Sequence, residues 1–184
     1  SLVGSEMCIR DSKYGVTKNH VIGLEVVLSE GATVRMGGQA LEPSGYDLCG
    51  ILVGSEGTLG IVTEITVRIL PLAESVVTLL AVYDRVADAA RSVSEIIAAG
   101  IVPASLEMMD APVMRAVEES FPCGYPLDAA AVLIIEADGP AAGLKEQAQR
   151  IRRICSAQGC RQVREAGDAA ERARLWAGRR GAFG

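Results

Sequence analysis

Apolar and polar positions alternate along residues 20–28, a stretch rich in Val, Ile and Leu, and this period of two predicts a β-strand. Ser29-Glu30-Gly31-Ala32 reads as a hairpin-like turn into a second strand over 33–36. A further long strand is expected over 60–70, with Thr63, Ile65, Val67 and Ile69 on one face and Glu64, Thr66 and Arg68 on the other. Pro71, which has no N–H to give to a ladder, ends it. Residues 45–52 between these strands predict a short helix, and the whole segment reads as a piece of antiparallel sheet.

After Pro71 the pattern changes to strands alternating with helices. Extended segments are expected over 76–83, 104–109, 130–137 and 161–164, and helices over 87–99, 111–120 and 144–157. In the first helix Val86, Ala89, Ala90, Val93, Ile96 and Ile97 recur at helical spacing, and in the third Leu144, Ala148, Ile151 and Cys155 do the same. Single apolar stripes beside strands imply an α+β layer, one sheet with helices on one face, in the manner of a ferredoxin-like domain. The boundary between the two patterns falls near residues 70–75.

The strand that starts at Gly60 is preceded by Val53-Gly54-Ser55-Glu56-Gly57-Thr58-Leu59-Gly60-Ile61-Val62-Thr63-Glu64, with three glycines spaced by three. Such a backbone can take positive φ and let a flat or anionic ligand lie against its amides. Glycines before a strand also serve tight turns and bulges, and spacing alone leaves both readings open. The run lacks the Lys-Ser/Thr ending of a P-loop, and its glycines do not fit G-x-G-x-x-G opening a helix.

Composition narrows the field. A length of 184 residues suits one or two domains, and 49% hydrophobic with 22% charged residues implies a buried core rather than disorder. Net charge of −5 and pI near 5.0 give no electrostatic footprint for nucleic acid. The longest apolar runs, such as 129–135, fall far short of the roughly 20 residues that cross a bilayer. With no secretory leader visible, a soluble cytoplasmic location is expected, with a peripheral place at the inner face of the membrane as the variant of it. Cys8, Cys49, Cys123, Cys155 and Cys160 are five cysteines with no C-x-x-C pair, which reads as incidental thiols; a disulfide between Cys155 and Cys160 stays open.

Four blocks in order carry a resemblance: Tyr14-Gly15-Val16-Thr17-Lys18-Asn19-His20-Val21-Ile22-Gly23-Leu24-Glu25-Val26-Val27-Leu28, then Gly37-Gly38, then Ser44-Gly45-Tyr46-Asp47-Leu48, then Val53 to Glu64. Together they resemble the FAD-binding half of the vanillyl-alcohol-oxidase (PCMH-type) flavoproteins. Within these the chain is most similar to the FAD-binding subunit of glycolate oxidase and to the D-lactate and D-2-hydroxyglutarate dehydrogenases. The resemblance implies the second half of a PCMH-type FAD-binding domain over 13–72 and a partial, ferredoxin-like cap domain over 73–184. It also implies an internal piece, preceded by a subdomain with its own glycine-rich pyrophosphate loop and followed by a portion carrying metal-ligating histidines. His20 is the one histidine of this sequence. Residues 1–12 do not match; Glu6-Met7-Cys8-Ile9-Arg10-Asp11-Ser12 looks like the translation of a transposon-end sequencing adapter and reads as non-native, with a short native N-terminal turn as the alternative.

By the same resemblance FAD is the cofactor, held by Gly54, Ser55, Gly57, Thr58, Gly60, Ile61 and Val62 mainly through main-chain groups, with Gly15 and Val21 near the flavin. Each has a plainer reading: Ser55 and Thr58 as caps of the turn, Glu56 as a solvated charge, Ile61 and Val62 as core, Val21 as the start of a strand. Leu175-Trp176-Ala177-Gly178-Arg179-Arg180 resembles the Trp-x-x-Arg segment whose arginine grips a substrate carboxylate, which makes Arg179 the substrate candidate and leaves Arg180 as a surface arginine near a helix C-terminus. Glu107 and Asp110 match the Glu-x-x-Asp that ends a cap strand, with helix capping the alternative role for Asp110. Many relatives carry a lysine- or threonine-rich stretch where Gln39-Ala40-Leu41-Glu42-Pro43 stands. No general base is identifiable.

The function so implied is oxidation of a small 2-hydroxy acid, glycolate or D-lactate, by hydride transfer to FAD, with companion flavin and iron-sulfur subunits and a divalent metal in the portion beyond this chain. The piece alone is expected to be inactive and not to retain FAD. The alternative is a ligand-binding or regulatory ferredoxin-like module without flavin chemistry.

Overall fold

The computed structural model describes residues 13–39 and 45–181. The adapter-like segment 1–12 with Cys8, the stretch 40–44, and Ala182 and Phe183 lie outside the described residues. The chain divides into two compact units, essentially Tyr14–Leu72 and Ala73–Gly184.

The first unit is a three-stranded antiparallel sheet of order β2-β1-β3, with β1 at Val21–Val27, β2 at Thr33–Gly37 and β3 at Ile61–Val67. Leu24 and Val26 of β1 are buried, while Glu25 between them faces out and is met across the ladder by Arg35 and Glu64. Arg35 bonds to both carboxylates, and the Thr63 hydroxyl donates to Glu25 at 2.8 Å, so the Glu25 carboxyl is held below its ordinary value, chiefly by Thr63 and then by Arg35. One short helix, α1 at Leu48–Leu52, lies on this sheet. Asp47 caps it by accepting from the Gly50 amide at 2.8 Å, which lowers the Asp47 carboxyl as well. The helix is shorter than its sequence implies, because Asp47 takes the capping position and starts it there.

Two expectations for β3 are corrected. The strand stops at Val67 rather than 70, and a bulge opposite Glu25 and Val26 shifts its alternation, so Thr63 turns toward Glu25 instead of sharing a face with Ile65. Ile61 and Val62, read as core residues, are exposed, Ile61 by 69%. The physical reason is position: β3 is a sheet edge, and no layer of the described residues covers it.

The second unit is a four-stranded antiparallel sheet of order β5-β6-β4-β7, formed by β4 (Ser75–Tyr83), β5 (Ser105–Asp110), β6 (Ala131–Gly139) and β7 (Cys160–Glu165). With α2 (Val86–Ala98) after β4 and α4 (Ala141–Ala157) after β6, this is the ferredoxin-like order. The stripes do what their periodicity implies: Ala89 and Ile96 of α2 and Leu144, Ala148, Ile151 and Cys155 of α4 pack on Leu79, Ala81, Tyr83, Leu133 and Ile135. Tyr83 ties the layers together, its hydroxyl donating to Ser92 at 2.8 Å while Ser92 donates to the Asp88 carbonyl at 3.1 Å.

Helices on a single face is the expectation that fails. The opposite face is also covered, by α3 (Ala111–Ser120) and α5 (Ala169–Gly181), which bury Met114, Val117 and Leu175 against Leu80, Val82, Val132 and Ile134. β4 and β6 are therefore packed on both sides, which is why they read as nearly continuous apolar runs instead of alternating ones. Helix α5 escaped the sequence pattern because Leu175 and Gly178 are its only fully buried residues.

Cys49, Cys123, Cys155 and Cys160 are free thiols, so Cys155 and Cys160 are not bridged. Desolvation pushes the Cys155 thiol above its ordinary 9.0, and burial likewise raises the phenols of Tyr83 and Tyr125. The folded chain thus keeps protons that the unfolded chain releases. The associated stability is complete below pH about 9 and is lost as pH rises past it, so the urea midpoint should fall between pH 8 and pH 10.5. An unchanged midpoint would contradict the burial of these groups. Truncation of Ile151 to Ala, at the centre of the α4 contact, should cost about 2–5 kcal/mol in the same assay.

Candidate functional site

Each unit holds one cluster of the residues that the sequence singles out. In the first, the glycine run forms an open loop between α1 and β3. Gly54, Glu56 and Gly57 all take positive φ, at 87°, 51° and 78°. Glutamate in that region carries backbone strain of about 1 kcal/mol or more, an outlier of the kind that collects at ligand loops. Gly54, Glu56, Gly57, Thr58 and Leu59 are exposed. The amides of Ser55 and Thr58 turn inward to the carbonyls of Leu52 and Ser55, and the Thr58 hydroxyl donates to the Ser55 carbonyl at 2.6 Å. Thr58 therefore caps the turn with its side chain. Among the described residues, no acceptor meets the amides of Gly54, Glu56 or Gly57.

Gly60 has a different role, because a Cβ there would sit 2.6 Å from Val26 Cγ1 and 2.9 Å from the Val27 carbonyl oxygen. It lets the loop close onto β1. Val21 is buried in the small core with Leu24, Val26, Cys49 and Leu52, and Gly15 is half-buried at φ 81° beside Asn19, at the start of a 3-10 turn over Thr17–Asn19. The loop fits a ligand that is recognised through main-chain groups: it is exposed, its φ signs reverse repeatedly, and three of its amides face no acceptor among the described residues. FAD, with hydrogen-bonding edges on its flavin and adenine and an anionic pyrophosphate, is such a ligand.

In the second unit, α5 carries Trp176 and Arg179 one turn apart on the side that meets the sheet. Arg179 donates from Nε to Glu107 Oε2 at 3.0 Å, with the two side chains only 20% and 14% exposed. The Trp176 indole donates to Glu136 Oε2 at 2.7 Å, and Thr78 donates to the same oxygen at 3.1 Å. Thr78, Glu136 and Ser105 stand opposite one another on β4, β6 and β5, and Thr78 and Ser105 are buried. The result is a polar patch inside an apolar face. Arg180 stands exposed in the last turn, and Asp110 caps α3 by accepting from the Val113 amide at 3.1 Å.

Close packing sets this geometry. A Cβ on Gly178 would lie 2.6 Å from the Tyr125 ring, and the Tyr125 hydroxyl bonds to the Leu175 carbonyl. Glu136 and Thr78 lie outside the sequence-based candidates, although each is a polar residue interrupting a largely apolar strand, which is the signal that points to them. Among the described residues no group of three or more His, Cys, Asp and Glu side chains is placed to hold a metal, and no helix is long and apolar enough to cross a membrane.

The fold is that of the PCMH-type flavoproteins. The solved structure of alkyldihydroxyacetonephosphate synthase superposes on 94% of this chain and 34% of its own with a TM-score of 0.70, at 19% identity. The family profile described as FAD linked oxidases, C-terminal domain, matches residues 72–184, and the chain belongs to that family. Among curated relatives, glycolate oxidase subunit GlcD of Bacillus subtilis is 49% identical over 148 residues, covering 80% of this chain and 32% of the relative. The subunit of the same name from Escherichia coli K12 is 43% identical over 171 residues, covering 93% and 34%. The chain spans about a third of the length of these relatives.

Gly178→Ala should displace α5 from Tyr125 and cost about 1–3 kcal/mol. Trp176, the single tryptophan, reports on it directly: its emission should shift to the red as the indole loses Glu136. Wild-type emission and stability in the variant would mean that α5 does not depend on this contact.

Proposed function

We propose that these residues form part of an FAD-dependent oxidoreductase that oxidises a 2-hydroxy acid, glycolate or D-lactate, to the 2-oxo acid. The observation that carries the reading is Arg179: the arginine of the Trp-x-x-Arg motif is held half-buried on the sheet beside Trp176, instead of standing in solvent as Arg180 does. Family membership and the names of the GlcD relatives support it.

The loop residues Gly54, Ser55, Gly57, Thr58, Gly60, Ile61 and Val62, with Gly15 and Val21, would hold FAD. Its backbone amides at Gly54, Glu56 and Gly57 are the groups available to acceptor atoms, and glycine at two of these three keeps side chains away from the approach. Bound FAD supplies the two-electron acceptor for the hydrogen on the substrate α-carbon. Arg179 binds and orients the substrate carboxylate through a charge-assisted pair, stronger in this half-buried patch than in open water. Polarisation of the hydroxyl is assigned to a divalent metal held outside these 184 residues. Companion flavin and iron-sulfur subunits and a cytoplasmic location, at most peripheral to the membrane, complete the proposal.

The full-length protein should purify yellow, and its flavin absorbance should bleach under anaerobic addition of glycolate or D-lactate. A colourless full-length protein that still bound a small acid in calorimetry would favour the flavin-free ligand-binding module. Arg179→Ala should raise KM for the hydroxy acid about 10- to 100-fold, as expected for losing a hydrogen-bonded charge pair, with flavin content unchanged. Unaltered KM would remove Arg179 from the site.

A further inference from the structure

Trp176 and Arg179, which α5 turns to the sheet, are each met by a carboxylate from a different strand. Glu107 of β5 pairs in register with Ile134, whereas Glu136 of β6 pairs with Ser105, so the acids stand on one face of adjacent strands, offset by two residues. Glu136 takes the Trp176 indole and Glu107 takes Arg179. The helix is thereby pinned at two points about one turn apart, which opposes both rotation about its axis and swinging of either side chain.

The atom that Glu107 engages matters. A bond to Nε lies on one edge of the planar guanidinium and fixes the plane in which the terminal nitrogens point. An ion pair this withdrawn from water is a weak device for stability, because desolvation offsets most of the attraction and an apolar pair would pack as well. Helix α5 already has Leu175, Gly178 and Tyr125 for that purpose. What an ionic contact adds is orientation of the guanidinium.

We propose that Glu107 is a positioning residue: it holds Arg179 through Nε in the plane that meets the carboxylate of the 2-hydroxy acid, while Glu136 anchors the neighbouring Trp176. This rests on Arg179 being the carboxylate-binding group. A positioning effect of Glu107 is exerted through Arg179, so the two effects on KM should not add.

The test is a double-mutant cycle in the full-length flavoprotein, read as KM for glycolate and D-lactate. Glu107→Ala should raise KM by tenfold or more with flavin content and the flavin spectrum unchanged. Glu107→Gln, whose amide oxygen still accepts from Nε, should stay within about threefold of wild type, so a general folding defect in the alanine variant is separated from loss of the contact. In an Arg179→Ala background, Glu107→Ala should change KM less than twofold. If Arg179→Ala raises KM but Glu107→Ala does not, or if the two changes multiply, the positioning role is overturned while the carboxylate-binding role of Arg179 stands. If Arg179→Ala leaves KM at the wild-type value, the underlying reading of Arg179 fails, and the proposal with it.

Discussion

The antiparallel pairing of β4 with β6 is the constraint on which the second unit depends. Nine consecutive residues of each strand stand opposite one another, from Ser75 with Gly139 to Tyr83 with Ala131, without a bulge. Because side chains alternate, this one register assigns Leu79, Ala81, Tyr83, Leu133 and Ile135 to one core and Leu80, Val82, Val132 and Ile134 to the other. A slip of one residue would exchange the two cores and strand Glu136 on the wrong face. The same register places Thr78 opposite Glu136, so the polar patch is a product of the pairing that builds the apolar cores.

The first unit is built on a thinner basis. Its buried apolar residues are Val21, Leu24, Val26, Cys49 and Leu52, and β3 offers Ile61, Val62, Ile65 and Val67 to solvent. A core of that size contributes little against the entropy of ordering a chain segment, so the precise loop over 53–60 draws its shape from local devices. These are the Asp47 cap, the turn bonds of Ser55 and Thr58, and the close approach of Gly60 to Val26. The glycine loop and the polar patch thus reach order by different routes, one from turn chemistry and one from a double-sided sheet.

Arg179 and Arg180 show how one helical turn gives two neighbouring arginines different surroundings. Both arginines stand in its last turn, where the helix dipole favours positive charge. One is exposed, while the other meets Glu107 at the sheet. Two residues that are chemically identical and adjacent in sequence differ only in the face on which the helix presents them.

Strands β1 and β2 and helices α2, α3 and α4 were legible in the sequence because their hydrophobic periods match their geometry, β4 and β6 because they are nearly continuous apolar runs, and Asp110 could be named as a possible cap from its position alone. The motif also singled out Arg179 and the glycine run. The second covered face of the sheet, helix α5, the bulge that turns Thr63 toward Glu25, and the solvent exposure of Ile61 and Val62 were decided by tertiary structure. The meeting of Glu107 with Arg179 across 72 positions, and of Glu136 with Trp176 across 40, belongs there as well. The physical reason is range. Periodicity records which side of an element is apolar and thereby sets local structure, but whether a second layer lies over the other side, and which carboxylate an arginine finds there, depends on contacts between residues far apart in the chain, which no local pattern encodes.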